Sequence, residues 1–381
     1  MSKGSDIYIF ALPRLRGKLK LGALAFVMAA LFFSFAETEV FAEKPAWTIG
    51  VDVWTPPFNE SLKRKEALYV PLKSAAKKWR IAAFIPHLKD SYWLSANYGL
   101  MEEAKRLGVS LTLYEAGGYV NLYIQRDQIN SCLAISKPDG IIVGAISETG
   151  LNDIVFEAFK QGIPVVDLAN TIRSPHISAR VASSFQNMGL LTGDYLNRLQ
   201  AKKGKPINVA WFPGPRGAGW VDSGVMGFTS SIEGKPVNVV ATEYGDTGRY
   251  SQRPLVAKAL ANFKDELDVI VGTAPSAEEA AKQLRSQGLS DKVDVLSYYY
   301  TPAVDAGIRK GHILAAPTDS TVTLSRIAVD TMVRILEGRK YYKHVAPSVI
   351  VIDQSNIKTW NSSNSLPPKK FRPTFFSEEY E

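Results

Sequence analysis

Short apolar runs alternate with longer amphipathic stretches from Arg80 onward, and this alternation constrains the fold more than any other feature of the chain. The apolar runs, each the length of a buried strand, cover residues 81–85, 110–114, 140–143 and 163–167. The stretches with helical spacing cover residues 94–107, 121–136 and 154–161. Strands joined through helices lie parallel, and their right-handed crossovers place helices on both faces of the sheet.

The same alternation begins again near residue 188 and predicts a second sheet. Its helical stretches cover residues 188–201, 224–232, 253–263 and 277–287, and its strands cover residues 208–212, 237–241, 269–271 and 293–297. Further elements are predicted at residues 304–310, 314–316, 324–337 and 349–352. A chain of 381 residues is long for one core and suits two. We therefore expect an α/β protein built of two doubly wound parallel-sheet lobes.

The first 42 residues have the pattern of an export signal. Five basic residues precede an uncharged apolar run over residues 21–35, and residues 40–42 end in the small residue Ala42. That run is shorter than the roughly 20 apolar residues of a membrane-spanning helix. We expect cleavage near Ala42, a mature protein in the periplasm and no membrane segment after cleavage. Residues 43–79, rich in proline, form an N-terminal extension in which residues 48–54 are predicted to be an edge strand.

The composition argues against enzymatic and nucleic-acid functions. A single cysteine, Cys132, and four histidines that lie far apart in sequence give no metal-ligand pattern, so we expect neither a metal site nor a cofactor. The chain contains no Gly-x-Ser-x-Gly and no His-Glu-x-x-His motif, and we expect no enzyme. The glycine-rich segment 213–219 is predicted to be a tight turn rather than a phosphate loop, because the Lys-Ser/Thr ending is missing. The net charge of +8 is scattered and indicates no nucleic-acid partner.

Aromatic residues follow several of the predicted strands. They are Tyr92, Trp93, Tyr119, Trp220 and the run 298–300. Ligands of open parallel sheets bind outside the carboxyl ends of the strands, so these rings stand where a ligand would be held. Each ring could instead be a buried core residue, since aromatic side chains are common in cores.

Several segments resemble the type I periplasmic binding proteins of the ribose-binding class. They are residues 81–85, 138–142 and 162–166, together with 187–189, 227–228 and the helix that precedes Gly338. The resemblance implies two lobes joined by a three-crossing hinge, with crossings near residues 180–183, 315–318 and 345–350. The N-terminal lobe would comprise residues 80–182 and 319–344, and the C-terminal lobe residues 183–318 and 345–358. A tail, residues 359–381, would follow.

The sequence departs from the family's sugar binders at the positions that hold sugar hydroxyls. At the corresponding positions this chain carries Ala169, Asn170, Asp222, Ala274, Tyr299 and Asp319. Two alanines and a tyrosine leave too few donors and acceptors, since each buried hydroxyl needs a partner.

Other segments, at residues 91–95, 115–119, 213–215, 272–274 and 371–373, are similar to the family members that sense trimethylamine N-oxide (TMAO). We expect Trp93, Tyr119 and Tyr299 to form a cage for its methyl groups, with Tyr92 and Trp220 as further contacts, because aromatic faces attract trimethylammonium groups. Asp319 would face the methyl groups or orient a donor, or would cap the helix predicted from residue 324.

The resemblance also implies a partner, the periplasmic sensor domain of a Tor-type histidine kinase, which would induce synthesis of an N-oxide reductase. Residues 43–79 could contribute to the partner surface. Delivery of a solute, such as a sugar or a quaternary amine, to an ABC transporter is the alternative, because the same two lobes serve both roles. A transcription repressor of related fold is disfavoured, because the export signal occupies the place of its DNA-binding helices.

Overall fold

The computed structural model describes residues 45–59 and 63–377, and the predicted export signal lies outside these ranges. The first sheet has eight strands in the order β2-β1-β13-β7-β6-β5-β3-β4. Their bounds are β1 Ile49–Trp54, β2 Arg64–Tyr69, β3 Arg80–Ile85, β4 Ser110–Glu115, β5 Gly140–Val143, β6 Val165–Leu168, β7 Ala179–Val181 and β13 His344–Pro347. The strands from β13 to β4 pair in parallel, as the alternation predicted.

Helices cover both faces of this sheet. They are α1 Ser91–Leu107, α2 Leu122–Ser131 with a π-helical turn at Cys132–Ser136, α3 Asn152–Lys160 and α9 Thr321–Leu336. In β3, Ile81 and Ala83 enter the core on one face, while Ala82 and Phe84 enter the core on the other. Such burial on both faces explains why the strands appear in the sequence as continuous apolar runs. Gly108 ends α1 with a left-handed φ of 74°, as expected.

The second lobe contains a four-stranded parallel sheet in the order β11-β10-β8-β9. Its strands are β8 Ile207–Gly214, β9 Val237–Tyr244, β10 Val269–Gly272 and β11 Asp294–Ser297. Its helices are α4 Phe185–Lys203, α5 Gly219–Ile232, α6 Arg249–Phe263, α7 Ala274–Ser286 and α8 Pro302–Arg309. Beside this sheet, β12 Ala315–Thr318 pairs antiparallel with β14 Ile350–Asp353. The fold is thus the type I periplasmic-binding-protein fold.

Two glycines bring helices α4 and α5 into close contact. A Cβ atom at Gly189 would lie 2.2 Å from the carbonyl oxygen of Gly224, and one at Gly224 would lie 2.0 Å from the hydroxyl of Tyr298. That hydroxyl donates to the carbonyl of Phe185 at 3.0 Å. Only residues without a side chain allow this approach, which fixes the beginning of α4 against the end of the second sheet.

The chain passes between the lobes three times. Two predictions about the first lobe are wrong: the boundary of the lobe near residue 345 and the position of β1 in the sheet. Residues 345–347 were assigned to the second lobe, yet Val345 pairs with Val53 and Val181 in the first sheet. Strand β1 was predicted to be an edge strand, yet it lies between β13 and β2. Strand β2 was missed because its sequence, RKEALY, has one fully buried residue and does not alternate cleanly between polar and apolar residues.

The C-terminal tail packs against the first lobe. The amide of Leu113 donates to the carbonyl of Phe375 at 2.8 Å, and the amide of Ser377 donates to the carbonyl of Leu111 at 2.9 Å. Asn97 on α1 exchanges hydrogen bonds with the backbone of Thr374. The tail therefore protects the outer edge of β4, a position at which an unpaired strand promotes aggregation.

Candidate functional site

One small cavity, of about 20 Å³, lies between the lobes, at the carboxyl ends of both sheets. Nine side chains line it: Asp90, Tyr92, Trp93, Tyr119, Asn170, Phe185, Trp220, Thr247 and Tyr299. Six of the nine are aromatic. Five of the six residues that we predicted from the sequence are therefore brought together in a single cavity.

Local capping positions the first of these rings. Asp90 is the N-cap of α1, and its carboxylate accepts a hydrogen bond of 3.0 Å from the backbone amide of Tyr92. An N-cap aspartate of this kind fixes the direction in which the chain enters the helix. Tyr92 and Trp93 consequently project from the first turn of α1 into the space beyond β3.

The other rings reach the cavity from separate elements. Tyr119 follows β4, Trp220 lies in the first turn of α5, and Tyr299 follows β11. Phe185 is the first residue of α4, directly after the first crossing between the lobes. Each lobe thus contributes rings, and the cavity is complete only when the lobes are together.

The rings meet mostly edge to face or at a tilt. Tyr92 and Trp93 have ring centroids 5.4 Å apart at an interplanar angle of 83°, and Tyr92 and Tyr299 are 5.7 Å apart at 77°. Trp220 lies 6.0 Å from Tyr119 and 5.7 Å from Phe185, at 54° and 47°. This arrangement holds the rings in place against one another. It surrounds the space between them with aromatic surface.

Two hydrogen-bond donors in the cavity have no acceptor among the described residues. The indole nitrogen of Trp220 is buried and makes no hydrogen bond of ordinary geometry to the described residues, although it lies close to the hydroxyl oxygen of Tyr119. The hydroxyl of Tyr119 accepts a hydrogen bond of 3.0 Å from the side-chain amide of Asn170, which leaves its own proton available within the part of the chain that the structure describes. Buried donors are almost always satisfied in folded proteins. These two can therefore bind an acceptor on a ligand.

The sixth predicted residue, Asp319, lies behind the cavity wall and does not line it. Its carboxylate accepts hydrogen bonds of 2.7 Å from the hydroxyls of Tyr92 and Thr321, and burial raises its pKa. The N-cap of α9 is the next residue, Ser320, and its side chain makes no capping hydrogen bond. Asp319 therefore holds the Tyr92 ring in position and neither contacts the cavity nor occupies the cap position itself.

Polar contacts across the lobe boundary surround the cavity. The hydroxyl of Tyr299 donates to the carboxylate of Asp90, and both side chains are buried. Lys89 forms an ion pair of 2.9 Å with Asp246. His87 lies 3.1 Å from the hydroxyl of Thr247. The structure is thus in a closed arrangement, with residues of one lobe hydrogen-bonded to residues of the other.

Burial shifts the titration of two groups at this boundary. It raises the pKa of Asp90 to about 6, although the hydrogen bond from Tyr299 acts in the opposite direction. It lowers the pKa of His87 to about 4, against the attraction of Asp246. Desolvation disfavours the charged form of each group, so a neutral histidine is the main form at pH 7.

Four lining residues were missed as site residues by sequence reasoning: Asp90, Asn170, Phe185 and Thr247. Asn170 was identified only as a sugar-binding position. Asp90 could have been found, because an aspartate before an apolar helical stretch is a capping signal. No local sequence pattern marks Phe185 or Thr247, and only the approach of the two lobes brings them to the cavity.

Within residues 45–59 and 63–377, no cluster of histidine, cysteine, aspartate and glutamate side chains could hold a metal ion. The helices in those ranges are also too short or too polar to cross a bilayer.

Two α/β lobes that enclose a small cavity at the ends of their strands define a binding protein of the periplasmic type. The chain belongs to the periplasmic binding protein domain family, whose model matches residues 81–340. Curated relatives of this chain are a periplasmic protein and ribose import binding proteins.

The chain is similar to the periplasmic protein TorT of Escherichia coli K12, with 37% identity over 306 residues, which cover 80% of this chain and 86% of TorT. The complex of TorT with the TorS sensor domain, solved without ligand and in the presence of TMAO, contains a similar chain. That chain is 30% identical with a TM-score of 0.71, and the match covers 78% of this chain and all of that one.

An ABC transporter solute-binding protein from Bradyrhizobium sp. BTAi1, with bound bis-tris, is also similar. It is 45% identical with a TM-score of 0.74, over 88% of this chain and all of that chain.

Proposed function

We propose that this chain is a periplasmic sensor that binds TMAO, or a similar small methylated amine or N-oxide, and signals to a histidine kinase. Its partner would be the periplasmic sensor domain of a TorS-type kinase, and binding would induce the TMAO reductase system. The chain makes and breaks no bond. Its export signal would be cleaved near Ala42, releasing the two lobes into the periplasm.

The observation that carries this proposal is an aromatic cavity with two N–H or O–H donors that have no acceptor among the described residues. TMAO has three methyl groups that carry partial positive charge and one strongly accepting oxygen. Each well-placed ring attracts such methyl groups by about 0.5–2 kcal/mol. The indole of Trp220 and the hydroxyl of Tyr119 would donate to the oxygen.

The carboxylate of Asp90 adds a negative charge to the same cavity. It favours ligands whose methyl groups carry positive charge, and it disfavours ligands with a carboxylate of their own. A pyranose or furanose fits poorly, because six aromatic walls leave most sugar hydroxyls without partners. The similarity to TorT, solved with TMAO present, agrees with this ligand class.

Closure would transmit the signal. A ligand that contacts rings of both lobes binds the closed form better than the open form and therefore shifts the population towards the closed form. The sensor domain would then respond to the fraction of molecules in the closed form.

Calorimetric titration of the mature protein with TMAO, trimethylamine, glycine betaine and ribose tests the proposal. We expect binding of TMAO, weaker binding of betaine because of Asp90, and no binding of ribose. The Tyr250→Ala variant is a matched control, because this ring is 92% exposed and lies outside the cavity. Binding of ribose without binding of TMAO would overturn the ligand assignment.

A transport function for a small amine is the second candidate. The 45% identity to a solute-binding protein with bound bis-tris, a tertiary amine, favours it. Measuring the affinity of the ligand-loaded chain for a TorS-type sensor domain and for an ABC permease separates the two. Binding to the permease alone would replace the sensor function with transport.

A further inference from the structure

A second, larger cavity lies along one side of the molecule, separate from the ligand cavity. This side groove, of about 1120 Å³, has one wall from α1 and α9 of the first lobe, including Tyr98 and Val322. Its opposite wall comes from Pro302 and the rest of α8 in the second lobe and from Lys310, which directly follows that helix, and the tail contributes Phe371. The groove therefore crosses the lobe boundary.

The side groove is basic and has an apolar floor. Five basic residues line it, Arg106, Arg309, Lys310, Arg326 and Lys369, against two acidic residues, Glu102 and Asp305. Leu94, Tyr98 and Phe371 supply apolar surface, and the last two rings pack at 5.1 Å. A mixed lining of this kind suits a protein segment with apolar and acidic side chains.

Three of the five cations already have partners. Arg106 and Arg326 both contact the buried carboxylate of Glu103, and Arg309 pairs with Asp305. Lys310 and Lys369 are exposed and make no ion pair within residues 45–59 and 63–377. One stands on the second lobe and the other on the tail, so they offer positive charge from both sides of the groove.

The side groove is linked to the ligand cavity through adjacent residues. Ser91 lines the groove and follows Asp90, which lines the cavity. Pro302 lines the groove three residues after Tyr299, which lines the cavity and donates to Asp90 across the lobe boundary. Opening of the lobes would break this hydrogen bond and separate the two walls of the groove.

We propose that the side groove is the docking site for an acidic segment of the partner sensor domain, and that only the closed form presents it. This inference rests on the proposed function, which supplies the partner. The volume exceeds the roughly 300–1,000 Å³ typical of small-molecule pockets, which favours a protein segment over a small anion. Because both walls are needed, the partner distinguishes the closed form from the open form.

Charge reversal at the two exposed lysines tests the proposal. Lys310→Glu combined with Lys369→Glu places like charge on both sides of an acidic segment. We expect affinity for the periplasmic sensor domain of the TorS-type kinase from the same organism, measured with saturating TMAO, to fall about tenfold. Its salt dependence should also become weaker, since fewer ion pairs remain to be screened.

The matched control is Lys282→Glu combined with Lys292→Glu, two exposed lysines of the second lobe outside the groove. It changes net charge equally and should retain wild-type affinity for the sensor domain. TMAO affinity by calorimetry should be unchanged in both double variants, which shows that each is folded and closes.

Wild-type affinity for the sensor domain in the groove variant would overturn the proposal, as would equal loss in the control. Self-association of the chain that the groove variant abolishes would instead identify a second copy as the occupant and would also overturn it. The proposed function fails separately: a wild-type chain that binds the sensor domain but no methylated amine or N-oxide would refute the sensing role. In that case, loss of sensor-domain binding in the groove variant would still support docking at the side groove.

Discussion

The hydroxyl of Tyr299 in the second lobe donates a hydrogen bond to the carboxylate of Asp90 in the first lobe, and both side chains line the ligand cavity. The contact is buried, with Asp90 3% and Tyr299 5% exposed. A hydrogen bond to an ionised group is stronger than a neutral one, particularly away from water. One contact thus joins the lobes and forms part of the ligand-binding surface.

Removing the Tyr299 ring should weaken N-oxide binding more than removing its hydroxyl alone. Tyr299→Ala deletes a face of the cage and the interlobe hydrogen bond, and we expect affinity for TMAO to fall at least about tenfold. Tyr299→Phe keeps the face and should cost less. Calorimetry measures both variants, and circular dichroism shows whether the fold is intact. Unchanged affinity in Tyr299→Ala would remove this residue from the site.

Asp90 should make stability depend on pH. Its pKa in the folded chain is raised from 3.8 to about 6, so the folded chain holds a proton that the unfolded chain releases between these values. Stability therefore falls as pH rises from below 4 to above 6, by up to about 3 kcal/mol. Asp90→Asn removes this dependence. The stability of the variant relative to the wild type, measured as the difference between their free energies of unfolding, should therefore be greater at pH 7 than at pH 4.

His87 contributes with the opposite sign. Its pKa is lowered from 6.5 to about 4, so its contribution to stability is lost as pH falls through this interval. The wild type and Asp90→Asn share this histidine, and the difference between their urea-unfolding curves isolates the carboxylate. A difference that stays constant from pH 4 to pH 7 would contradict a raised pKa at Asp90.

The sequence predicted both parallel sheets, because buried parallel strands appear as unbroken apolar runs that can be recognised locally. It did not predict β2 or β7. Only one of the six residues of β2 is fully buried, and β7 has three residues whose burial depends on neighbours distant in sequence. Strand β13 was missed for the same reason, which displaced the last lobe boundary by three residues.

In the candidate site, too, some residues could be predicted from local sequence patterns and others depend on contacts between distant parts of the chain. The rings Tyr92, Trp93 and Tyr299 follow strands of parallel sheets, so a positional rule located them. Phe185 and Thr247 follow no recognisable pattern, and their position depends on how the two lobes meet. Asp319 was predicted near the ligand because it aligns with a position that holds sugar hydroxyls in the family. Its hydrogen bond from Tyr92, which lies 227 residues away in sequence, could not be predicted from any local pattern.

The indole N–H of Trp220 should discriminate between ligands with and without an oxygen acceptor. Trp220→Phe keeps an aromatic face but removes the donor that has no acceptor among the described residues. We expect the affinity for TMAO to fall about tenfold more than the affinity for tetramethylammonium, which has methyl groups but no oxygen. The weaker cation–π attraction of phenylalanine lowers the affinity for both ligands, and more for the fully charged tetramethylammonium, so a larger loss for TMAO is assigned to the missing N–H. Equal losses for the two ligands would show that the N–H makes no hydrogen bond to the oxide.

Asp319 and Tyr92 should act as one unit. The hydrogen bond of 2.7 Å between them is buried, and the carboxylate does not line the cavity. If Asp319 acts only by holding the Tyr92 ring, Asp319→Ala should weaken TMAO binding in the wild-type background but have little further effect in Tyr92→Phe. Calorimetry of the two single variants and the double variant measures this coupling. A direct contact between Asp319 and the methyl groups would give additive losses instead, because removing the hydroxyl of Tyr92 would leave such a contact in place.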